Sequence, residues 1–117
     1  LSAQLSVITL SSNHLTHLPD EIGACAALTE LHLAANHRLA SLPPGLGKLH
    51  VLSTLDASGC ELSSVPAELG SCLGLLKLNL SRNPNLIHVP PELGKLDALK
   101  VMHFGVCSML TLPSALG

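Results

Sequence analysis

Residues 75–83 constrain the fold of this chain more than any other stretch. They read Leu-Leu-Lys-Leu-Asn-Leu-Ser-Arg-Asn, which places leucines at relative positions 1, 4 and 6 and an asparagine at position 9. Side chains alternate faces along a strand, so Leu78 and Leu80 are predicted to point inward while Lys77 and Asn79 point outward. The amide of Asn83 can bond backbone groups of a neighbouring turn, which requires the same unit to be stacked beside itself.

The same unit recurs along the whole chain. Taking the first strand leucine as the marker, coils begin at Leu5, Leu28, Leu52, Leu75 and Leu99, with spacings of 23, 24, 23 and 24 residues. The second and fourth coils carry one extra residue after the asparagine, which produces a superperiod of 47 residues. A fixed period of this length is typical of solenoid proteins. We therefore predict one domain over residues 1–117, with four full coils and a truncated fifth.

A proline-rich return segment follows each strand. These segments read LPDEIG at 18–23, LPPGLG at 42–47, VPAELG at 65–70 and VPPELG at 89–94. Proline at the first helical position, an acid in the first turn and glycine soon after are typical of one short helical turn. The sequence predicts an α/β fold: a right-handed solenoid, a horseshoe arc, with short helical or 3₁₀ turns on its convex side. Its concave side is predicted to carry a parallel sheet with strands around residues 7–9, 30–32, 54–56, 77–79 and 101–103.

Composition supports a leucine-packed solenoid and argues against several kinds of partner. The chain is 47% apolar, yet Phe104 is its one aromatic residue, and leucine columns need no aromatic bulk. The net charge is −2 and the sequence has no basic run, which argues against nucleic acid and anionic membranes as partners. No apolar run approaches the roughly 20 residues of a membrane span, and no signal segment opens the chain.

Both ends of the sequence are apolar where an end coil normally carries a polar cap. Leu1, Leu5 and Ile8 begin the chain, and Met109, Leu110 and Leu112 lie near its end. We expect the chain to be a piece of a longer protein. The isolated piece is expected to self-associate through its uncapped ends or to be only marginally stable, unless neighbouring coils cover Leu5 and Leu110.

The combined pattern LxxLxLxxN/C with LPxx(I/L)G, over about residues 5–117, resembles the leucine-rich repeat family. Leucine or isoleucine before the return-segment glycine, as in Ile22 and Leu46, is similar to the intracellular subclass found in Ras-pathway scaffolds. Ser58-Gly59-Cys60 and Cys107-Ser108-Met109-Leu110 resemble coils of plant nucleotide-binding immune receptors. The first resemblance implies a cytoplasmic, non-catalytic scaffold for protein–protein interaction in signalling. The second implies the alternative, a sensing segment of a nucleotide-binding receptor.

The cysteines, Cys25, Cys60, Cys72 and Cys107, follow the superperiod in two pairs. Equivalent positions two coils apart are about 9–10 Å apart, given about 4.8 Å between strands. That separation exceeds the roughly 7 Å limit for a disulfide and is equally unfavourable for a shared zinc ion. We predict reduced, buried thiols, no metal and a reducing compartment, the cytoplasm.

Outward positions on the predicted strands supply the candidate site. Thr9, His32 and Asp56 occupy equivalent positions in adjacent coils and imitate a hydrolase triad, but an open sheet offers no oxyanion donors or enclosing loop. We therefore expect no enzyme and no cofactor, with the hydrolase kept as a remote alternative. The predicted partner-binding residues on the concave face are Glu30, His32, Asp56, Lys77, Asn79, Arg82 and His103. A second possibility is binding on the convex side through Glu21, Glu68 and Glu92.

Overall fold

The computed structural model describes residues 4–103, which form one parallel five-stranded sheet. Its strands are β1 (Val7–Thr9), β2 (Glu30–His32), β3 (Thr54–Asp56), β4 (Lys77–Asn79) and β5 (Val101–His103), ordered as in the sequence. The five predicted strands and the solenoid architecture are thereby confirmed. No helix among residues 4–103 is long and apolar enough to cross a membrane.

Strand register stacks the inward positions into columns of leucine. Leu31 pairs with Ile8 on one side and with Leu55 on the other, and Leu78 pairs with Met102. The inward side chains of the three central strands are fully buried; they are Leu31, Leu33, Leu55, Ala57, Leu78 and Leu80. Phe104, predicted to continue the second column, lies outside the described residues. Leu5, which precedes β1, and Val7, at an outward position of β1, are exposed.

The convex side carries four 3₁₀ helices. They span Asp20–Ala24, Pro44–Lys48, Ala67–Ser71 and Pro91–Lys95. Every return segment has a proline at its second residue, and the prediction that this shared proline takes the first helical position is wrong by one residue. Pro19 and Pro66 are N-cap residues with extended backbone, and only in the second and fourth coils does another proline, Pro44 or Pro91, begin the helix. The shared proline therefore fixes the extended approach to the helix.

The last glycine of each return segment lies inside its 3₁₀ helix and does not cap it. Gly47 and Gly70 lie inside their 3₁₀ helices, and the residues that cap them are Leu49 and Cys72. A Cβ atom at Gly47 would lie 2.7 Å from the Glu68 carbonyl oxygen of the next coil. Glycine is required because the backbones of successive coils approach too closely for a side chain.

Asparagines after the strands bond neighbouring coils, as predicted. Asn83 donates from Nδ2 to the carbonyl oxygens of Ala57 in the preceding coil and Leu80 in its own, both at 2.9 Å. Its Oδ1 accepts the backbone N–H of Leu62 from the preceding coil at 3.1 Å. Each such asparagine satisfies buried backbone donors and acceptors that no regular secondary structure would satisfy.

The extra residue of alternate coils explains where cysteine replaces this asparagine. In the second coil, the longer turn lets the Leu39 N–H donate to the Asn36 carbonyl oxygen of its own coil at 3.0 Å. The next coil then needs no side-chain acceptor, and Cys60 donates its thiol to the Leu33 carbonyl oxygen at 3.4 Å. Cysteine therefore takes the asparagine position in a coil when the turn of the preceding coil is hydrogen-bonded within itself. Cys107, which occupies the same position after the fourth coil, lies outside the described residues.

The cysteines within residues 4–103 are free and buried, which confirms the prediction for Cys25, Cys60 and Cys72. Burial raises the pKa of the Cys72 thiol from 9.0 to about 11. The pKa of Cys60 is also raised, chiefly by burial. Native thiols with raised pKa values are poor nucleophiles at neutral pH.

We expect the Cys72 thiol to make folding stability fall at alkaline pH. The folded state holds this proton more tightly than the unfolded state, so its contribution is complete below pH 9 and is lost as the pH rises to about 11. The loss attributable to this group is up to about 3 kcal/mol. Urea unfolding at pH 8 and pH 11 measures it, with Cys72→Ala as the control because that variant lacks the titrating group. An equal loss in both proteins would contradict this assignment.

Candidate functional site on the concave sheet

Register brings the fifth residue of every coil, counted from its first strand leucine, into one row across the sheet. Thr9 lies beside His32, His32 beside Asp56, Asp56 beside Asn79 and Asn79 beside His103. The middle three side chains are half-buried, while the two at the ends are exposed. The row predicted from the periodicity is therefore present.

A shallow depression of about 180 Å³ lies over the last strands of this row. It is lined by His32, Thr54, Leu55, Asp56, Lys77, Leu78, Asn79, Val101 and His103. Five of the seven predicted partner-binding residues thus surround one feature of the surface. Glu30 lies beside it on β2, and Arg82 lies beyond the end of β4.

One of the two histidines in this row, His32, pairs along its own strand. His32 Nε2 lies 3.0 Å from Glu30 Oε1, and both side chains are partly exposed. Within residues 4–103 no hydrogen bond joins Thr9 to His32 or His32 to Asp56. The structure therefore does not assemble the relay on which the hydrolase alternative depends.

Asp56 and Asn79 are each held by a serine two residues further along. Asp56 Oδ1 accepts the Ser58 backbone N–H at 3.0 Å and the Ser58 hydroxyl at 2.7 Å. Asn79 Oδ1 accepts the backbone N–H of Ser81 at 3.0 Å and also its hydroxyl. The spacing of Asp or Asn two residues before Ser is typical of such local bonds and could have predicted both contacts. We call these two units the Asp56 and Asn79 clamps.

A second, larger groove of about 660 Å³ runs along the carboxyl ends of the central strands. It is lined by Ala34, Ala35, His37, Ser58, Gly59, Cys60, Glu61, Asn79, Ser81, Arg82 and Pro84. The sequence prediction missed this groove, although its small residues at the seventh and eighth coil positions are visible in the repeat. Ala35, Gly59 and Arg82 share a left-handed backbone at the eighth position, where the chain turns away from the sheet.

The site offers hydrogen bonding and charge and has no assembled metal site among the described residues. No group of three or more His, Cys, Asp or Glu side chains within residues 4–103 could hold a metal ion. Negative charge lies on β2 and β3 at Glu30 and Asp56, and positive charge lies on β4 and just beyond it at Lys77 and Arg82. Such a surface can bind a partner that carries both signs of charge.

Parallel coils that are joined by asparagine side-chain bonds and carry an open sheet on one side are typical of solenoid proteins that bind other proteins. A model of the family described as Leucine Rich Repeat matches residues 4–25, 51–72 and 74–96, more than half of the chain. The chain belongs to the leucine-rich repeat family.

One sequence relative is the mouse (Mus musculus) leucine-rich repeat serine/threonine-protein kinase 1. It is 43% identical over 56 residues, which is 48% of this chain and 3% of that kinase. The chain therefore spans only a small part of this relative.

Solved structures share the fold over nearly the whole chain. A Leptospira interrogans leucine-rich repeat protein is 28% identical with a TM-score of 0.73, covering 93% of this chain and 33% of its own. The ectodomain of the Arabidopsis thaliana receptor kinase SOBIR1 is 26% identical with a TM-score of 0.80, covering 96% and 62%. The leucine-rich repeat ectodomain of the Arabidopsis thaliana receptor kinase GASSHO1/SCHENGEN3, in complex with CASPARIAN STRIP INTEGRITY FACTOR 2, is 27% identical with a TM-score of 0.78, covering 97% and 17%. This chain thus spans less than two thirds of each of these structures.

Proposed function

We propose that this chain is a non-catalytic protein-interaction module that presents its concave sheet to a peptide or protein partner. The observation that carries the proposal is the depression that gathers five predicted partner-binding side chains on one open face. Leucine-rich repeat proteins are generally interaction modules, and one structural neighbour is a receptor ectodomain in complex with its factor. The open sheet favours binding over chemistry because none of residues 4–103 encloses a reacting group there.

The composition of the face sets the expected strength of binding. Energetic anchors of interfaces are usually Trp, Tyr or Arg, and this face carries one arginine, Arg82, and no aromatic side chain. These coils therefore contribute shape and charge complementarity to an interface, with Arg82 and Asp56 as the main local contacts. As part of a scaffold, the module works together with binding surfaces elsewhere in a longer protein.

We include a reducing compartment, the cytoplasm, in the proposal. The support is chemical: Cys25, Cys60 and Cys72 are free thiols buried in the stack of coils. Fractionation of cells expressing the tagged parent protein tests this placement.

Asp56→Ala and Arg82→Ala are each expected to weaken binding by about 0.5–2 kcal/mol without unfolding the chain. Linear peptides selected from a random phage-displayed library on the immobilised chain serve as ligands, and calorimetry measures their affinity. Both side chains lie at the surface, so circular dichroism of the variants should match that of the parent.

Glu68→Ala is the matched control, because Glu68 is an exposed acid on the convex side. It should leave the affinity unchanged. If Glu68→Ala weakens binding while both concave variants are silent, the convex alternative replaces this proposal. A chain that selects no peptide at all would also contradict it.

A further inference from the structure

The two clamps present opposite hydrogen-bonding groups at equivalent places on neighbouring strands. Each uses Oδ1 to hold its serine, which leaves Oδ2 of Asp56 and Nδ2 of Asn79 without a hydrogen-bond partner among residues 4–103. No buried side-chain nitrogen or oxygen in that range lacks a partner, so both free atoms are open to solvent. The bonds to Ser58 and Ser81 orient the two groups before any ligand arrives.

Charges around the clamps reinforce this polarity. Asp56 and the neighbouring Glu30 make the β2–β3 side of the face negative, whereas Lys77 and Arg82 lie on either side of Asn79 along the chain and make the β4 side positive. Lys77 and Arg82 are exposed and form no ion pair within the described residues. The acceptor and donor strands are separated by about 4.8 Å, which is one strand spacing.

We propose that the clamps bind an extended peptide segment that crosses the strands and carries a basic and an acidic side chain two residues apart. The basic side chain lies over Asp56, and the acidic one lies over Asn79 between Lys77 and Arg82. Side chains two residues apart in an extended peptide point the same way and are separated by about 6.6 Å, so a long basic side chain can reach Asp56 while the acidic one lies over Asn79, one strand spacing away. This inference rests on the proposed function and specifies the chemistry of its partner.

Other occupants fit the same observations less well. The depression of about 180 Å³ is smaller than the roughly 300–1,000 Å³ of pockets that enclose small molecules, and the groove of about 660 Å³ beside it lies open on the surface and would not enclose one. A helix already uses its backbone groups internally, so its backbone cannot bond Asp56 Oδ2 and Asn79 Nδ2. An extended peptide has free backbone N–H and C=O groups that can also bond Asp56 Oδ2 and Asn79 Nδ2.

Isosteric variants test the inference without disturbing the clamps. Asp56→Asn removes the negative charge, and Asn79→Asp adds one, while both keep an Oδ1 that can accept from the serine. Random linear phage-displayed peptides are selected separately on the parent chain and on each variant, and Glu68→Gln on the convex side is the charge-matched control. Synthetic peptides carrying Lys-x-Glu and Lys-x-Gln in one background then give affinities by calorimetry at low and high salt.

On the parent chain and on Glu68→Gln, we expect enrichment of basic and acidic residues two positions apart. Asp56→Asn should lose the basic preference, Asn79→Asp should lose the acidic one, and each should weaken Lys-x-Glu binding about 3- to 30-fold at low salt. Peptides that bind the concave face with no such charge pattern would overturn this inference and leave the proposed function standing. Absence of any selected peptide would instead count against the proposed function.

Discussion

Asn83→Ala is expected to lower the free energy of unfolding by about 3–5 kcal/mol. The substitution removes two Nδ2 bonds to the buried carbonyl oxygens of Ala57 and Leu80. It also leaves the Leu62 N–H without the acceptor that Asn83 Oδ1 supplies. Buried backbone groups that lose their partner carry the full desolvation penalty, so the effect exceeds that of one ordinary hydrogen bond. Urea denaturation with an unchanged m-value measures the loss.

Comparing Asn83→Cys with Cys60→Ala distinguishes the loss of the Oδ1 acceptor of Asn83 from the loss of the donated bonds. A thiol at position 83 can still donate one bond but cannot replace the amide acceptor, so we expect Asn83→Cys to cost about 2–3 kcal/mol. Cys60→Ala removes the weak bonds that the thiol shares between the Leu33 and Ser58 carbonyl oxygens. It leaves the Leu39 N–H bonded within its own coil, so it should cost about 1 kcal/mol. Equal losses in the two variants would refute the link between coil length and the residue at this position.

The strands were predictable because burial and side-chain direction repeat together. A strand that alternates faces must place Leu31, Leu55 and Leu78 in the same column, and the 23- and 24-residue spacings then fix which residues pair. The predicted and observed strand limits agree for this reason.

The features that the sequence prediction missed depend on neighbouring coils or on side-chain conformation. Gly70 resembles a helix-ending glycine when its own coil is considered alone, and its actual role appears only when the next coil is packed beside it. Likewise, register places His32 beside Asp56, but the rotamer that joins His32 to Glu30 is not encoded in the repeat. The row of candidate site residues was therefore predictable, whereas its hydrogen bonds were not.

Gly70→Ala is expected to destabilise the fold by about 3 kcal/mol or more. A Cβ atom at this position would lie 2.4 Å from the Glu92 carbonyl oxygen and 2.9 Å from its carbonyl carbon. These are backbone atoms inside a 3₁₀ helix, so they cannot move aside as the end of a flexible side chain could. The two coils would have to separate, which would loosen the leucine columns on both sides. Thermal unfolding followed by circular dichroism measures the loss.

Gly59→Ala is the matched control, because it adds the same methyl group where there is room for it. The nearest atom to a Cβ at Gly59 is the Ala35 backbone nitrogen at 3.5 Å. Its backbone is left-handed with φ 65°, but Ala35 already occupies the equivalent position with φ 61°. The conformational penalty alone should therefore cost about 1 kcal/mol. If Gly70→Ala proves no more destabilising than Gly59→Ala, successive coils can separate freely and close backbone packing is not the reason for glycine in the return turn.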